Sequence, residues 1–216
     1  MSRSGKRSRA EDVYERLRQD ILTGVLIPGN RLMFPDLDRR YGASVGAIRE
    51  ALVRLTERGL VGFEPNLGFR VTPISLQAHL ELADARADLE ALAVRRAIAD
   101  GSLAWESQLV AAAHRLAQTR RDPPSDAWHV AHADFHLALI EGCGNRYLLA
   151  AAQALRERAE LYRRWSEPEV LDVPHQETDE HQRLVDAALA RDAETTAQLL
   201  REHIAVTRTL RLRIPG

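Results

Sequence analysis

Residues 35–71 read PDLDRRYGASVGAIREALVRLTERGLVGFEPNLGFRV, and the rest of the chain is organised around this stretch. Leu37 and Tyr41, four apart, mark one face of a short helix, and Gly42 ends it. Ser44 is a good N-cap for a second helix. Val45, Ile48, Leu52 and Leu55 then recur at spacings of three and four, which predicts that helix's buried stripe. Gly59 stops it. Two β-prone runs follow, Leu60 to Phe63 and Phe69 to Val71, joined by the turn formers Glu64-Pro65-Asn66-Leu67-Gly68. Helix, turn, helix and wing make a unit with one dominant use, placing its second helix in the major groove of DNA.

Upstream, Val13, Leu17 and Ile21 predict a helix over about 10–23, closed by Gly24 and the Ile27-Pro28-Gly29 turn. Residues 1–9 are polar and basic and are expected to be a disordered tail. The winged unit therefore spans 10–73. Charge divides at the same place. Residues 1–72 hold 13 Lys/Arg against 9 Asp/Glu, and residues 73–216 hold 17 against 22, so a head of +4 precedes a body of −5. Tail residues Arg3, Lys6, Arg7 and Arg9 alone account for the +4, so charge is weak support for a nucleic-acid partner.

The 216 residues are 45% hydrophobic, enough for a core, yet no apolar run approaches the roughly 20 residues of a membrane helix. The N-terminus lacks the apolar stretch of a secretory signal. A single cysteine, Cys143, excludes an internal disulfide framework and fits a reducing cytosol. The expected location is cytoplasmic, and nucleoid-associated when bound to DNA. From Ser75 onward the pattern is helical, with segments at 75–100, 103–120, 125–142, 146–165, about 173–190 and 193–211. Breaks fall at Gly101-Ser102, Asp122-Pro123-Pro124, Gly142 to Asn145, Glu167-Pro168 and Arg191-Asp192. Short connections make neighbours antiparallel. The expected fold is mainly α, a winged helix-turn-helix followed by an antiparallel all-helical bundle over 75–211.

On the second helix of the head, Gly46, Arg49, Glu50 and Val53 lie opposite the buried stripe. Arg49 can donate bidentately to a guanine edge or clamp a phosphate. Arg39, Arg40 and Arg70 are candidate phosphate contacts. The plainer reading makes Arg49-Glu50 a solvated pair on an ordinary helix; the surrounding helix-turn-helix and wing favour DNA.

The bundle carries a second signal. His132 and His136 are four apart on one helix and share a face with Trp128, Phe135 and Leu139. His181 lies eleven residues before Asp192, the expected turn of a helical hairpin, and His203 eleven after it. Both then stand roughly 16 Å from the turn at about 1.5 Å per residue. His181 lies near Leu184 and Val185, and His203 near Leu199, Leu200 and Val206. Four imidazoles can thus converge in the core, as ligands of zinc, nickel, copper or iron. Alternatively each is a separate hydrogen-bonded core histidine. Arg86 points toward the core stripe of its helix, where a guanidinium wants a carboxylate, and Glu90 at i+4 is the internal candidate. Asn145 can cap the helix from 146 or offer a polar contact.

The head resembles the GntR family of bacterial transcription regulators. The residues that carry this are Leu26-Ile27-Pro28-Gly29, Leu37, Tyr41-Gly42-Ala43-Ser44, Ile48-Arg49-Glu50-Ala51-Leu52, Arg54-Leu55, Gly59-Leu60-Val61 and Gly68-Phe69-Arg70-Val71. The DNA-contact set this implies is Arg39, Arg40, Ser44, Gly46, Arg49, Gly68 and Arg70. Family members often carry Arg and Thr after the capping residue, where this chain has Val45 and Gly46, so their operators do not transfer. Residues 75–211 resemble the FCD domain of the FadR-type branch, through Arg86-x-x-Leu89-Glu90, Phe135-His136, Gly144-Asn145, Glu180-His181 and Glu202-His203. The His132-x-x-x-His136 form, with Trp128 ahead and Glu160 to Arg164 after, resembles the group of the carbon-starvation regulator.

The resemblance implies a metal held by His136, His181 and His203, with His132 standing where most members have Asp. That exchange favours zinc, with nickel the alternative, over manganese or magnesium. It also implies that Arg86, with Asn145, binds a small carboxylic acid beside the metal. The expected protein is a homodimeric regulator, a repressor in most members, on a pseudo-palindromic double-stranded operator. Two other readings stand beside it: a regulator answering to the metal alone, and a metalloenzyme in the bundle. The second lacks an obvious general base or nucleophile among the histidines.

Overall fold

A computed structural model describes residues 9–119, 125–166, 174–209 and 212, with the side chains of 174–178 and 209 left aside. The tail 1–8, the breaks at 122–124 and 167–168 and the ends of the last two expected helices lie outside the described residues. The chain falls into two compact units that divide between Ser75 and Leu76.

In the first unit, α1 (Arg9–Leu22), α2 (Phe34–Tyr41) and α3 (Val45–Glu57) precede the antiparallel strands β1 (Val61–Glu64) and β2 (Gly68–Val71). Val13, Leu17 and Ile21 are buried, and α1 packs along α3. Pro35 sits in the first turn of α2, where a missing N–H costs nothing. Gly42 ends α2 at φ 61°, its N–H donating to Asp38 O. Tyr41 Oη and Arg40 Nε both donate to Asp20 Oδ2 at 2.6 Å, tying α2 to α1. Ser44 caps α3 by accepting from Ala47 N.

Two expectations in this unit are corrected. The stripe of α3 is Ile48, Ala51, Leu52 and Leu55, while Val45 is 52% exposed. A helical side chain leans over the turn before it, and for Val45 that turn holds the exposed Gly42 and Ser44. The first strand begins at Val61, not Leu60. Leu60 N donates to Leu55 O and Gly59 N to Thr56 O, with Gly59 at φ 72°. Leu60 therefore belongs to the motif that closes α3. Asn66 (φ 65°) and Gly68 (φ 82°) turn the wing tip.

The second unit holds α4 (Leu76–Asp100), α5 (Leu103–Gln118), α6 (Asp126–Glu141), α7 (Arg146–Arg164), α8 (Pro174–Leu189) and α9 (Ala193–Val206). Helix α4 packs against α9, α7 and α6, α5 against α6 and α8, and α8 against α9. Short polar caps set the starts: Ser102, Ser125, Asn145 and Asp192 each accept from backbone N–H groups of the first turn. None of the described helices is long and apolar enough to cross a membrane.

Trp105 locks one end of the bundle. It is 4% exposed, its Nε1 donates to Ala138 O at 2.8 Å, and it lies against Gly101 and Gly142. A Cβ on Gly101 would stand 2.3 Å from both Ala97 O and Trp105 Cε3. Gly101→Ala is therefore expected to destabilise the bundle by about 1–3 kcal/mol through overpacking. Urea unfolding followed by circular dichroism checks this, and an unchanged midpoint would mean that the Trp105 contact yields freely.

Candidate metal centre and nucleic-acid interface

Helix α6 carries His132 and His136 inward, flanked by Trp128 (4% exposed) and Phe135 (0%). Asp192 caps α9 and turns the α8–α9 hairpin, which brings His181 and His203 level, their ring centroids 4.8 Å apart. The four rings are buried, and one ligand atom from each lies within 4.8 Å of all the others. His136 Nε2 stands 3.2 Å from His132 Nε2 and 3.3 Å from His181 Nε2. His203 turns its Nδ1 to Glu180 Oε2 at 2.9 Å and leaves Nε2 buried with no hydrogen-bond partner. Val206, read as part of the His203 stripe, is 52% exposed at the end of α9.

Hydrogen bonding alone does not satisfy this cluster. An imidazole nitrogen offers one in-plane site, a lone pair or an N–H, yet His136 Nε2 faces two nitrogens and His203 Nε2 faces none. A cation accepting all these lone pairs resolves both. The 3.2 and 3.3 Å separations are close to the edge of a tetrahedron with bonds of about 2.0–2.1 Å, roughly 3.3–3.4 Å. Burial, then the charge of Arg163, pushes the His132 imidazolium far below its ordinary range; burial and Arg156 do the same at His136. His203 is pushed down to about 3 by burial and Arg163. These three rings are thus neutral at physiological pH, the state a metal ligand requires. The residues present fit a divalent transition metal. Glu180 fixes the His203 tautomer, whereas His136 Nδ1 has no such support.

The charges of Arg86, Arg156 and Arg163 are felt at the centre. Arg86 (5% exposed) donates from Nε to Glu90 Oε1 at 2.8 Å, so the i+4 pairing exists. Glu90 is fully buried and also accepts from Arg156 Nη1 at 2.5 Å. Burial works against its charge, but Arg156 and Arg86 hold its carboxyl below the ordinary value. The Nη1 and Nη2 atoms of Arg86 have no partner among the described residues. Farther along α7, Glu160 accepts from Arg164 Nε at 3.0 Å, and His129 Nδ1 stands 2.8 Å from its Oε1. Arg156, His129 and Glu160 were not among the expected site residues. Arg156 and Glu160 follow the buried Ala152 at steps of four, a face legible in the sequence. Asn145 does not join them. Its Oδ1 accepts from Tyr147 N and Leu148 N, about 16 Å down the helix from Arg156.

In the first unit, Arg49 is exposed on α3 with its guanidinium 5.0 Å from the centroid of the Phe34 ring. Gly46 is exposed beside it and Val53 is 45% exposed. Arg39 is open to solvent, with only a loose contact to Asp36 at 3.5 Å. Arg40 is held by Asp20, and Arg70 stands 3.5 Å from Glu64 in the wing. Ser44 is a cap, and Gly68 supplies the left-handed turn at the wing tip. The exposed face of α3 and the wing thus offer cations without apolar cover, as a groove-reading surface requires.

Comparison with known proteins agrees with this arrangement. Residues 9–71 match the model described as bacterial regulatory proteins, gntR family, and residues 81–206 match the FCD domain. The HTH-type transcriptional regulator BphR of Paraburkholderia xenovorans is 40% identical over 209 residues, covering 92% of this chain and 83% of its own. The HTH-type transcriptional repressor GlaR of Escherichia coli is 38% identical over 200 residues, covering 89% and 91%. In fold the chain is similar to a GntR-type regulator from Rhodococcus sp. RHA1, with a TM-score of 0.74 at 24% identity over 94% of this chain and 96% of that one. It is likewise similar to E. coli McbR/YncC, with a TM-score of 0.72 at 22% identity over 94% and 98%. These relatives are transcriptional regulators rather than enzymes, and the chain belongs to the gntR family of bacterial regulatory proteins as a DNA-binding transcriptional regulator with an FCD domain.

Proposed function

We propose that this regulator is a cytoplasmic, homodimeric repressor on a pseudo-palindromic operator, controlled by a small carboxylate bound beside a metal in the helical unit. His132, His136, His181 and His203 hold the metal, zinc by the all-nitrogen donor set, with nickel the alternative. The observation that carries this reading is the buried, unpartnered Nε2 of His203 within a cluster of four buried imidazoles whose ligand atoms lie within 4.8 Å of one another. The repressor assignment draws on GlaR, whose name states that role.

When bound, the metal would supply an electrophilic site, and a carboxylate oxygen would join the four imidazoles as a fifth ligand. Arg86 presents its open Nη1/Nη2 edge to the same anion and orients it by paired N–H bonds. Trp128, Phe135 and Leu139 keep water from the centre and strengthen these interactions. Side chains of α6, α8 and α9 meet there, and with Arg86 from α4 one ligand would touch four helices. A ligand changes operator affinity only by binding the DNA-competent and DNA-released states unequally.

The test is fluorescence anisotropy of operator DNA in the presence of small organic acids, with wild type and Arg86→Ala. Glu90 keeps Arg156 in the variant, so the fold is expected to survive. Loss of a charge-assisted contact is expected to weaken acid binding about ten-fold or more. Identical acid responses in the two proteins would contradict Arg86 as the carboxylate ligand.

A further inference from the structure

The other arginines of the DNA-facing surface lie near carboxylates: Arg39 near Asp36, Arg40 on Asp20 and Arg70 near Glu64. Arg49 has none. Its neighbours one turn away on α3 are Val45 and Gly46 before it and Leu52 and Val53 after it, all uncharged. No hydrogen bond or ion pair engages it among the described residues. What it meets is the Phe34 ring, 5.0 Å from the guanidinium to the centroid.

That ring is firmly placed. Phe34 is half-buried at the first position of α2. It meets Phe69 edge-on, the centroids 6.3 Å apart and the planes at 84°. Phe69 is 6% exposed and packs in turn on Phe63 in β1, at 5.0 Å. The backbone leading into α2 is tied to the same strand. Leu32 N donates to Phe69 O at 2.8 Å, Gly29 N to Val71 O at 3.0 Å, and Val71 N to Asn30 O at 2.9 Å. Residues 29–32 thus run beside β2, and the wing, the start of α2 and the Arg49 side chain form one stack.

A ring suits a base-reading arginine better than a carboxylate does. An unsupported arginine gives up rotamer freedom on meeting a base edge, which costs affinity. A carboxylate would restrain it but occupy its N–H donors and set a negative charge beside the phosphates. An aromatic face restrains the guanidinium and uses none of its donors, so the fork for guanine stays whole.

We infer that Phe34 is a positioning residue for sequence readout: its ring, anchored on the wing through Phe69, sets where the Arg49 fork meets the base edge and so determines specificity at that base pair. This rests on Arg49 as a base contact and adds the residue that aims it.

The probe is the duplex that full-length wild type selects from a random-sequence DNA pool, with each base pair then replaced singly. Arg49→Ala is expected to lose discrimination at the base pair it reads, which marks the contact. Phe34→Leu keeps an apolar side chain without the aromatic face. It is expected to lower discrimination at that same base pair by about two- to five-fold. Other positions and binding to unrelated DNA should be unchanged, and Phe34→Leu should add nothing to Arg49→Ala. Phe34→Tyr is expected to keep the wild-type ratio. If urea unfolding shows that Phe34→Leu weakens the head, Phe34→Met takes its place. Full discrimination at the Arg49 base pair without the ring, or an equal loss at every position, overturns the shelf and leaves Arg49 as the reader. Arg49→Ala with full discrimination everywhere overturns both.

Discussion

Replacing His136, His181 and His203 together by alanine is expected to strip the protein of transition metal, from about one ion per chain to background. The three imidazoles come from α6, α8 and α9, and no other described residue joins His132 in the ligand set. A single remaining imidazole binds zinc weakly. The loss should also appear in stability. Metal at about 100 times its dissociation constant raises the stability of a folded binder by roughly 2.7 kcal/mol. Wild type should therefore melt higher with zinc than after chelation, and the triple variant should melt alike in both. His132→Ala should lower affinity while leaving part of the occupancy, because three ligands still close a site. Mass-spectrometric metal analysis after dialysis measures the effect. Equal content in wild type and the triple variant would refute the centre.

Arg49→Ala is expected to weaken specific operator binding by about 1–3 kcal/mol, the scale of one good base contact. Arg49 is the exposed cation of α3, one turn past its N-terminus, where recognition helices meet base edges. Its stacking over Phe34 holds the guanidinium at the surface. Arg39→Ala should differ in kind, weakening all sequences alike and lowering the salt slope by roughly one. Arg40→Ala should weaken the head's own packing as well, since Arg40 pairs with Asp20 on α1. Gel-shift titrations at several salt concentrations separate these cases. Arg49→Ala with unchanged operator affinity would move base readout elsewhere on the face.

Local chemistry made much of this legible. The Tyr41-Gly42 and Arg58-Gly59 helix ends, the Ser44 cap and the wing tip are set by residues with narrow backbone preferences, so their places follow from type and spacing. Equal arms of eleven residues about Asp192 predicted the level pairing of His181 and His203, because a helical hairpin converts sequence separation into height. What was not legible depended on partners far along the chain. Glu90 sits sixty-six residues from Arg156, so the i+4 pairing with Arg86 was visible and the bridge to α7 was not. The Glu180 contact that orients His203 crosses between helices in the same way. Val45 obeyed the periodicity of α3 and still faces solvent, because a pattern of residues does not reveal where the packed neighbour stops.

The most direct test of the whole account is the operator affinity of metal-loaded and metal-stripped wild type, each titrated with the small carboxylic acid it binds best, at one salt concentration. The account predicts that the acid changes operator affinity about ten-fold or more in the loaded protein and far less in the stripped protein. Equal operator affinity with and without the acid in the loaded protein would contradict it.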